Sequence, residues 1–279
     1  MKTRRQAVLL LAPLAAALLL LFVVPQIIML EASLGRRSVY GLVVHDWSAL
    51  NYLRALDPMY LRVLARSVGL ALATTALCLL IGYPMAYWLG KVAPRRWRSA
   101  LVVLVILPFW TSFLVRMYAW VFLLRAEGLV NLALARVGLP ALNLLYNDAA
   151  VVLGQVYGEL PFMVLPLFAS IEKLDRSLLE AAADLGAVPR RALWRVTLPL
   201  TRPGIVAGAL LVFIPSLGAY LAPDLLGGAR TVYIGTVIQN QFVVARDIPF
   251  GSALSFVLSL LVLGLLLIFR RPLRSAGGG

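Results

Sequence analysis

Four long windows of this chain carry no charge at all: residues 6–30, 67–90, 203–223 and 248–269. Two more apolar windows, 99–124 and 149–171, hold a single charge each, Arg116 and Glu159. A hydrocarbon core of ~30 Å takes about 20 helical residues to cross. Lipid offers the backbone no hydrogen bonds, so the crossing segments must satisfy their own. The windows therefore predict an all-α membrane protein with six transmembrane helices. With 62% hydrophobic and 14% charged residues, an ordinary soluble domain is excluded.

Basic residues set the expected orientation. The segments on one side of the six spans hold Lys2, Arg4, Arg5, Lys91, Arg95, Arg96, Arg98, Lys173, Arg176, Arg190, Arg191, Arg195, Arg202, Arg270, Arg271 and Arg274, sixteen of the 26 Lys and Arg. The three loops on the other side hold nine, and Arg116 lies within a span. Positive-inside asymmetry then predicts both termini in the cytoplasm, N-in and C-in. The net charge of +14 is a topology signal and does not point to nucleic acid. The opening MKTRR and its apolar run resemble a signal peptide, but the run reaches Leu30, which predicts an uncleaved first span. Cys78 is the only cysteine, so no intrachain disulfide is possible.

The chain divides into residues 1–62, a first span with an extracytoplasmic segment; 63–271, the main transmembrane domain; and a tail, 272–279. Residues 51–66 mix Leu, Tyr and Met with Arg54, Asp57 and Arg62, as an interfacial helix does. Between the fourth and fifth spans lies the polar stretch 172–202. Within it Ser177 and Glu180 fit a capping box, with Ser177 as N-cap. Gly186 suits a left-handed helix end and Pro189 the first turn of a second helix. Neither piece is long enough to cross a bilayer. Read from the residues alone, the stretch is either an amphipathic loop or a docking unit for another protein.

Glu180-Ala181-Ala182, three residues, Gly186, nine residues, then Val196-Thr197-Leu198-Pro199 resembles the EAA motif of ABC-importer permeases. Every spacing agrees, and Val in place of Ile is the one change. The resemblance implies a MetI-like type I importer fold, with the first short helix as a coupling helix that docks on a cytoplasmic ATPase. Glu180, Ala181, Ala182, Asp184, Gly186 and Pro199 are the coupling residues it implies. Other blocks resemble the spermidine/putrescine permeases: Pro108 to Ser112, Arg116 to Trp120, Leu160 to Pro166, Ile171 to Asp175 and Pro223 to Gly228. Ala219 and Ile248 depart from that pattern, where relatives often carry an acidic residue and a Trp. The resemblance implies a cytoplasmic ATPase dimer, a second permease chain forming a heterodimer, an extracytoplasmic solute-binding protein and a bacterial inner-membrane location. Polyamines are the implied cargo; opines, amino-acid derivatives or thiamine-like cations are the alternatives, and an ion-driven secondary transporter is a further one.

A charge in mid-span costs at least ~2.5–3.5 kcal/mol unless it is paired or hydrated. Glu159 is the expected counter-charge for Arg116, either as a structural pair or at a translocation path. Trp110, Tyr118, Trp120 and Tyr157 are candidates for cation–π contact with an organic cation, or for plain interfacial packing. Asp148 and Asp224, at span ends, are candidates for attracting a cation or docking a partner, with simple solvation as the alternative. Gly204 and Gly208 form a GxxxG pattern that allows close helix approach. His45 is the only histidine, so a metal site is not expected. No GxxxxGK[ST] loop is present, so nucleotide chemistry is assigned to a partner chain that holds ATP and Mg. The expected role is a non-catalytic permease subunit with no cofactor of its own.

Overall fold

The computed structural model describes residues 2–38 and 43–274. Apart from one two-stranded hairpin, β1 (Arg36–Arg37) with β2 (Val43–Val44), the elements are helices. In order these are α1 (Lys2–Ser33), α2 (Leu50–Ala55), α3 (Pro58–Tyr87), α4 (Arg95–Ile106), α5 (Phe113–Leu124), α6 (Leu129–Arg136) and α7 (Asp148–Glu172). The polar segment follows as α8 (Arg176–Asp184), α9 (Pro189–Ala192) and α10 (Leu198–Leu200). The chain closes with α11 (Arg202–Leu217), α12 (Ile234–Val243) and α13 (Ile248–Arg274).

Among the described residues, four helices are long and apolar enough to span a membrane by themselves: Leu11–Ser33, Pro58–Val92, Asp148–Glu172 and Ile248–Phe269. The other two expected spans are broken. Arg95–Trp110 and Phe113–Arg136 meet at 86°, so the single helix read over 99–124 is corrected to two. Pro108 removes a donor from the turn, and Thr111 and Ser112 then adopt extended backbone, with ψ of 145° and 137°. Pro189–Leu200 and Arg202–Leu217 meet at 68°. The span read as 203–223 ends at Leu217, and a π-helical turn follows at Pro223–Gly227. Counting each bent pair once gives six. A further correction concerns residues 51–66: Pro58 opens α3, so the latter half of that stretch is the start of a long helix.

The chain forms two compact units. The first combines residues 1–62 and 237–262. In it, Asn51 donates to the carbonyls of Ser33 and Gly35, both at 2.8 Å, which returns the chain to the end of α1. Arg54 pairs with Asp247 at 2.8 Å and lies 3.8 Å from the centre of the Phe250 ring. His45, expected to bind no metal, sits 3.2 Å from Glu31.

The second unit, residues 63–236 and 263–279, holds two apolar cores. One gathers Cys78, Leu89, Met163, Leu167, Ile171 and Val212; the other gathers Leu70, Met117, Val151, Leu226 and Tyr233. The helix α7 runs through both cores, and α11 lies along it. A Cβ on Gly204 would stand 2.5 Å from Ser170 Cβ, and one on Gly208 2.8 Å from Met163 Sδ. The GxxxG pattern thus forms a true close approach. Small residues let two backbones come near enough for dispersion contacts along their length.

Candidate functional site

The polar segment is built as two short helices around a glycine. Its helix start differs from the one read in the sequence. Asp175, not Ser177, is the N-cap of α8, and its Oδ1 accepts the Ser177 N–H at 3.0 Å. The expected capping box between Ser177 and Glu180 is therefore corrected: Ser177 lies inside the first turn, and Asp175 already satisfies its N–H. That donor also holds the Asp175 carboxyl below its usual range. At the other end Gly186 has φ +77°, and its N–H reaches Ala183 O at 2.8 Å while Ala187 N–H reaches Ala182 O at 2.9 Å. These two bonds are the Schellman closure, which needs a left-handed residue at this position. Pro189 then opens α9, as read.

What this unit shows to its surroundings is apolar as well as basic. Glu180, Ala181, Asp184 and Pro199 are exposed and Ala182 is half-buried. Leu185 is 89% exposed, Trp194 65% and Val188 59%, on a segment that also carries Arg190, Arg191 and Arg195. Large apolar side chains grouped outside a fold mark a surface made to be covered. The unit is anchored where α7 ends, since Lys91 donates to Leu174 O and Arg98 lies 3.3 Å from Glu172. Tyr83 and Thr201 share a hydrogen bond of 3.0 Å, which ties α3 to the bend before α11.

A second set of groups lies inside the bundle. Arg116 on α5 and Glu159 on α7 are each only 8% exposed. They are not joined, for among the described residues neither a salt bridge nor a hydrogen bond links them. They lie near enough for their opposite charges to attract through space, as a counter-charge reading requires. The Arg116 guanidinium instead lies 5.4 and 5.5 Å from the ring centres of Phe109 and Phe113, so it is solvated partly by aromatic faces. Trp120 meets Tyr157 edge-to-face at 5.6 Å, which joins α5 to α7. Trp110 is 83% exposed, and Tyr118 and Asp224 also face outward.

One cluster had no signature in the sequence. Arg66 donates to both carboxylate oxygens of Asp148, and Tyr233 donates to the same group at 2.7 Å. Next to it, the Ile234 N–H donates to Ser67 Oγ at 2.8 Å. Three distant stretches thus meet at the N-terminal end of α7. The sequence offers Asp148 as a candidate for attracting a cation, docking a partner or plain solvation, and none of these names Arg66 or Tyr233. No periodicity announces a contact between residues so far apart in the chain.

Residues 79–271 match the family described as binding-protein-dependent transport system inner membrane component. The chain belongs to that family. The match starts within α3 and ends within α13, so it includes the α8–α10 unit, the broken spans and the buried charges. A spermidine/putrescine transport system permease protein PotB from Salmonella typhimurium is 43% identical over 259 residues, 92% of this chain and 90% of that protein. PotB of Escherichia coli K12 is 42% identical over the same length, 92% and 94% of the two chains. An inner membrane ABC transporter permease protein of E. coli K12, YdcU, is 32% identical and covers 75% and 71%.

The fold is shared more widely. A chain of the crystal structure of a bacterial ABC transporter involved in alginate import superposes with a TM-score of 0.74, at 20% identity and 98% coverage of both chains. A chain of the MetNI methionine ABC transporter gives 0.57 at 18% identity, covering 78% of this chain and 98% of that one. At that identity the fold alone is shared. The chain is a multi-pass membrane protein of the importer-permease class, in which ATP hydrolysis belongs to a separate chain.

Proposed function

We propose that this chain is the polyamine-conducting permease subunit of an ATP-driven importer in a bacterial inner membrane. The observation that carries the reading is the 42–43% identity to two spermidine/putrescine permeases across nearly the whole chain. The α8–α10 unit supports it: a closed helix–Gly–helix with exposed Leu185, Val188 and Trp194 is suited to seat in a cytoplasmic ATPase. Both termini then lie in the cytoplasm. The remaining partners are a second, non-identical permease and an extracytoplasmic solute-binding protein.

The mechanism is alternating access, in which ligands shift a pre-existing equilibrium between two states. Closure of the ATPase dimer pulls on α8 through Glu180, Ala181, Ala182 and Asp184, with Gly186 and Pro199 fixing the shape of the lever. The cavity between the two permeases opens outward, receives solute from the binding protein, and is reset by hydrolysis. Trp110, Tyr118 and Tyr157 are exposed on this chain and offer ring faces to an organic cation, each worth ~0.5–2 kcal/mol. Trp120 braces Tyr157, Asp224 draws cations towards the path, and Arg116 and Glu159 stand behind it as a charged pair.

Reconstitution with the cognate ATPase, second permease and binding protein tests the reading. ATP-dependent uptake of radiolabelled putrescine or spermidine is expected. Uptake confined to an opine, an amino-acid derivative or a thiamine-like cation would move the cargo to that class, which the departures at Ala219 and Ile248 allow. For the charges, Arg116→Glu with Glu159→Arg should restore assembly without restoring transport. Full transport by the swapped pair would reduce them to a structural role.

A further inference from the structure

Among the described residues, seven buried side-chain atoms have no protein hydrogen-bond partner, and all but Arg98 Nε belong to five residues. These are Thr74 Oγ1, Arg116 Nε and Nη1, Gln155 Nε2, Glu159 Oε2 and Ser216 Oγ. Each of the five residues is at least nine-tenths buried: Thr74 is 0% exposed, Gln155 and Ser216 1%, Arg116 and Glu159 8%.

Helix register puts them in one layer. Gly82 on α3 and Gly90 in the π-helical turn that continues it lie against Met163 and Ile171 on α7, so the two helices run parallel in step. Counting back two turns sets Thr74 level with Gln155. Gly204 and Gly208 on α11 lie against Pro166 and Met163, so α11 runs antiparallel and Ser216 also comes level with Gln155. Gly158 faces Phe113 and Gly154 faces Met117, which brings Arg116 to the same level from α5. Glu159 is one turn away on the Gln155 face of α7. Four helices therefore contribute polar groups to one depth of a membrane-embedded bundle.

The hydroxyls are unusual in a further way. Ser67, Thr75, Thr201 and Ser255 all satisfy themselves on the carbonyl four residues back. That is the usual refuge of a helical hydroxyl in an apolar setting. Thr74 and Ser216 do not take it. The unpartnered groups are also mixed: Arg116 and Gln155 donate, Glu159 accepts, and the two hydroxyls do either. A cation entering the layer is repelled by Arg116 and an anion by Glu159. A neutral species that both donates and accepts suits all five.

We infer that this layer is an internal water-binding site, which solvates Arg116 and Glu159 between α3, α5, α7 and α11. A buried water needs two to four polar partners, and five residues at this depth carry buried polar atoms without one. Because water is exchangeable, α5 and α7 can shift past one another without leaving a bare charge in an apolar core. This role in movement rests on the alternating-access reading above; the water site itself does not.

Two measurements on the assembled transporter in nanodiscs, without cargo, test the site. Thr74→Val and Ser216→Ala keep the side-chain shape and remove the hydroxyl. If the layer is wet, each lowers the unfolding temperature, because bound water loses a partner; if it is dry, each raises it or leaves it unchanged, since an unsatisfied group is relieved. In radiolytic footprinting, Met117 at the layer is expected to gain oxygen despite being fully buried, and the double variant to lose that labelling several-fold. Met163, two turns away in an apolar core, should stay unlabelled. Stability unchanged or raised, or Met117 no more labelled than Met163, overturns the site. For the role in movement, the double variant should insert normally and slow uptake several-fold, and unchanged uptake overturns it. Absence of polyamine uptake by the unaltered transporter would count against the cargo assignment and leave the water site standing.

Discussion

Arg66 holds both carboxylate oxygens of Asp148, at 2.9 and 2.8 Å, across 82 residues of chain. The pair draws α3 and the first residue of α7 together, and Tyr233 completes it from the loop before α12. Arg66 and Asp148 are 41% and 56% exposed, whereas Tyr233 is 3% exposed.

That difference orders the mutants. Arg66→Met should cost no more than about 1 kcal/mol, the range of a solvent-exposed pair. Tyr233→Phe should cost more, about 1.5–3 kcal/mol, because it removes a buried hydrogen bond to a charged group. Thermal unfolding of both variants in the same detergent checks the order, and a larger loss for Arg66→Met would contradict it.

The Tyr233 phenol also predicts a pH dependence. Burial, then its hydrogen bond to Asp148, pushes the phenol above its ordinary value. A raised value in the folded state stabilises the protonated form. The contribution is present in full below the ordinary tyrosine value of ~10 and is lost as pH rises through the folded value. The stability gap between the wild-type chain and Tyr233→Phe should therefore stay constant through neutral pH and narrow in strong alkali. A gap that narrows between pH 6 and 8 would point to a different group.

Gly186 makes a conformational prediction. Nothing lies within 4 Å of a Cβ placed there, so a side chain meets no clash; the obstacle is φ +77° alone. A non-glycine residue in that region costs roughly 1–2 kcal/mol, and Asn is the best tolerated. Gly186→Asn should keep most transport, and Gly186→Val should retain membrane insertion while uncoupling ATPase from uptake. Equal transport by the two variants would show that the turn is not what shapes the lever. Glu180→Lys should uncouple in the same assay without loss of helix.

The α7–α11 contact predicts a contrast among glycines. Gly204→Ala forces a methyl group within 3 Å of Ser170 Cβ and Pro166 O, whereas Gly208→Ala meets Met163 Sδ at 2.8 Å and its carbonyl at 3.2 Å and should cost less. Overpacking of this kind costs about 1–3 kcal/mol, so folded yield in detergent should fall. Gly69 and Gly264 have open space around them. Alanine there should be neutral or raise stability by about 0.5–1 kcal/mol, since helical glycine is entropically unfavourable.

Asp175 predicts a local effect. Its carboxylate caps α8, so Asp175→Ala should speed amide exchange over residues 177–180, whereas Asp175→Asn should preserve the cap. The Ser177 N–H holds the carboxyl below its usual range. The cap's contribution is thus complete above the ordinary carboxylate range and is lost as pH falls through the lowered folded value. Cap loss beginning at neutral pH would be the contrary result.

Several features were legible because they depend on local chemistry. The apolar windows located the candidate spans, four unbroken helices and two bent pairs, since a bilayer imposes its thickness on any helix. Gly186 and Pro189 were readable because a left-handed turn and a helix start select those residues on backbone grounds. The EAA spacing was readable as a fixed pattern. At Ser177 local chemistry is ambiguous, because Asp175 two residues earlier competes for the same role and accepts the Ser177 N–H.

Tertiary structure decided the rest. Nothing in the 99–124 window states that it bends by 86°, because a span with one proline can kink gently or break, and its neighbours settle which. Arg116 and Glu159 are visible in sequence as charges in apolar spans, but whether they touch depends on how α5 and α7 pack. Arg66, Asp148 and Tyr233 meet only because helix packing closes loops of more than eighty residues. The layer around Gln155 needs the registers of four helices at once. Sequence alone determined the apolar windows, the turn at Gly186 and the family pattern, which are set by short-range sterics and by burial. Only the three-dimensional packing decided which polar groups share a depth and which are left without a partner.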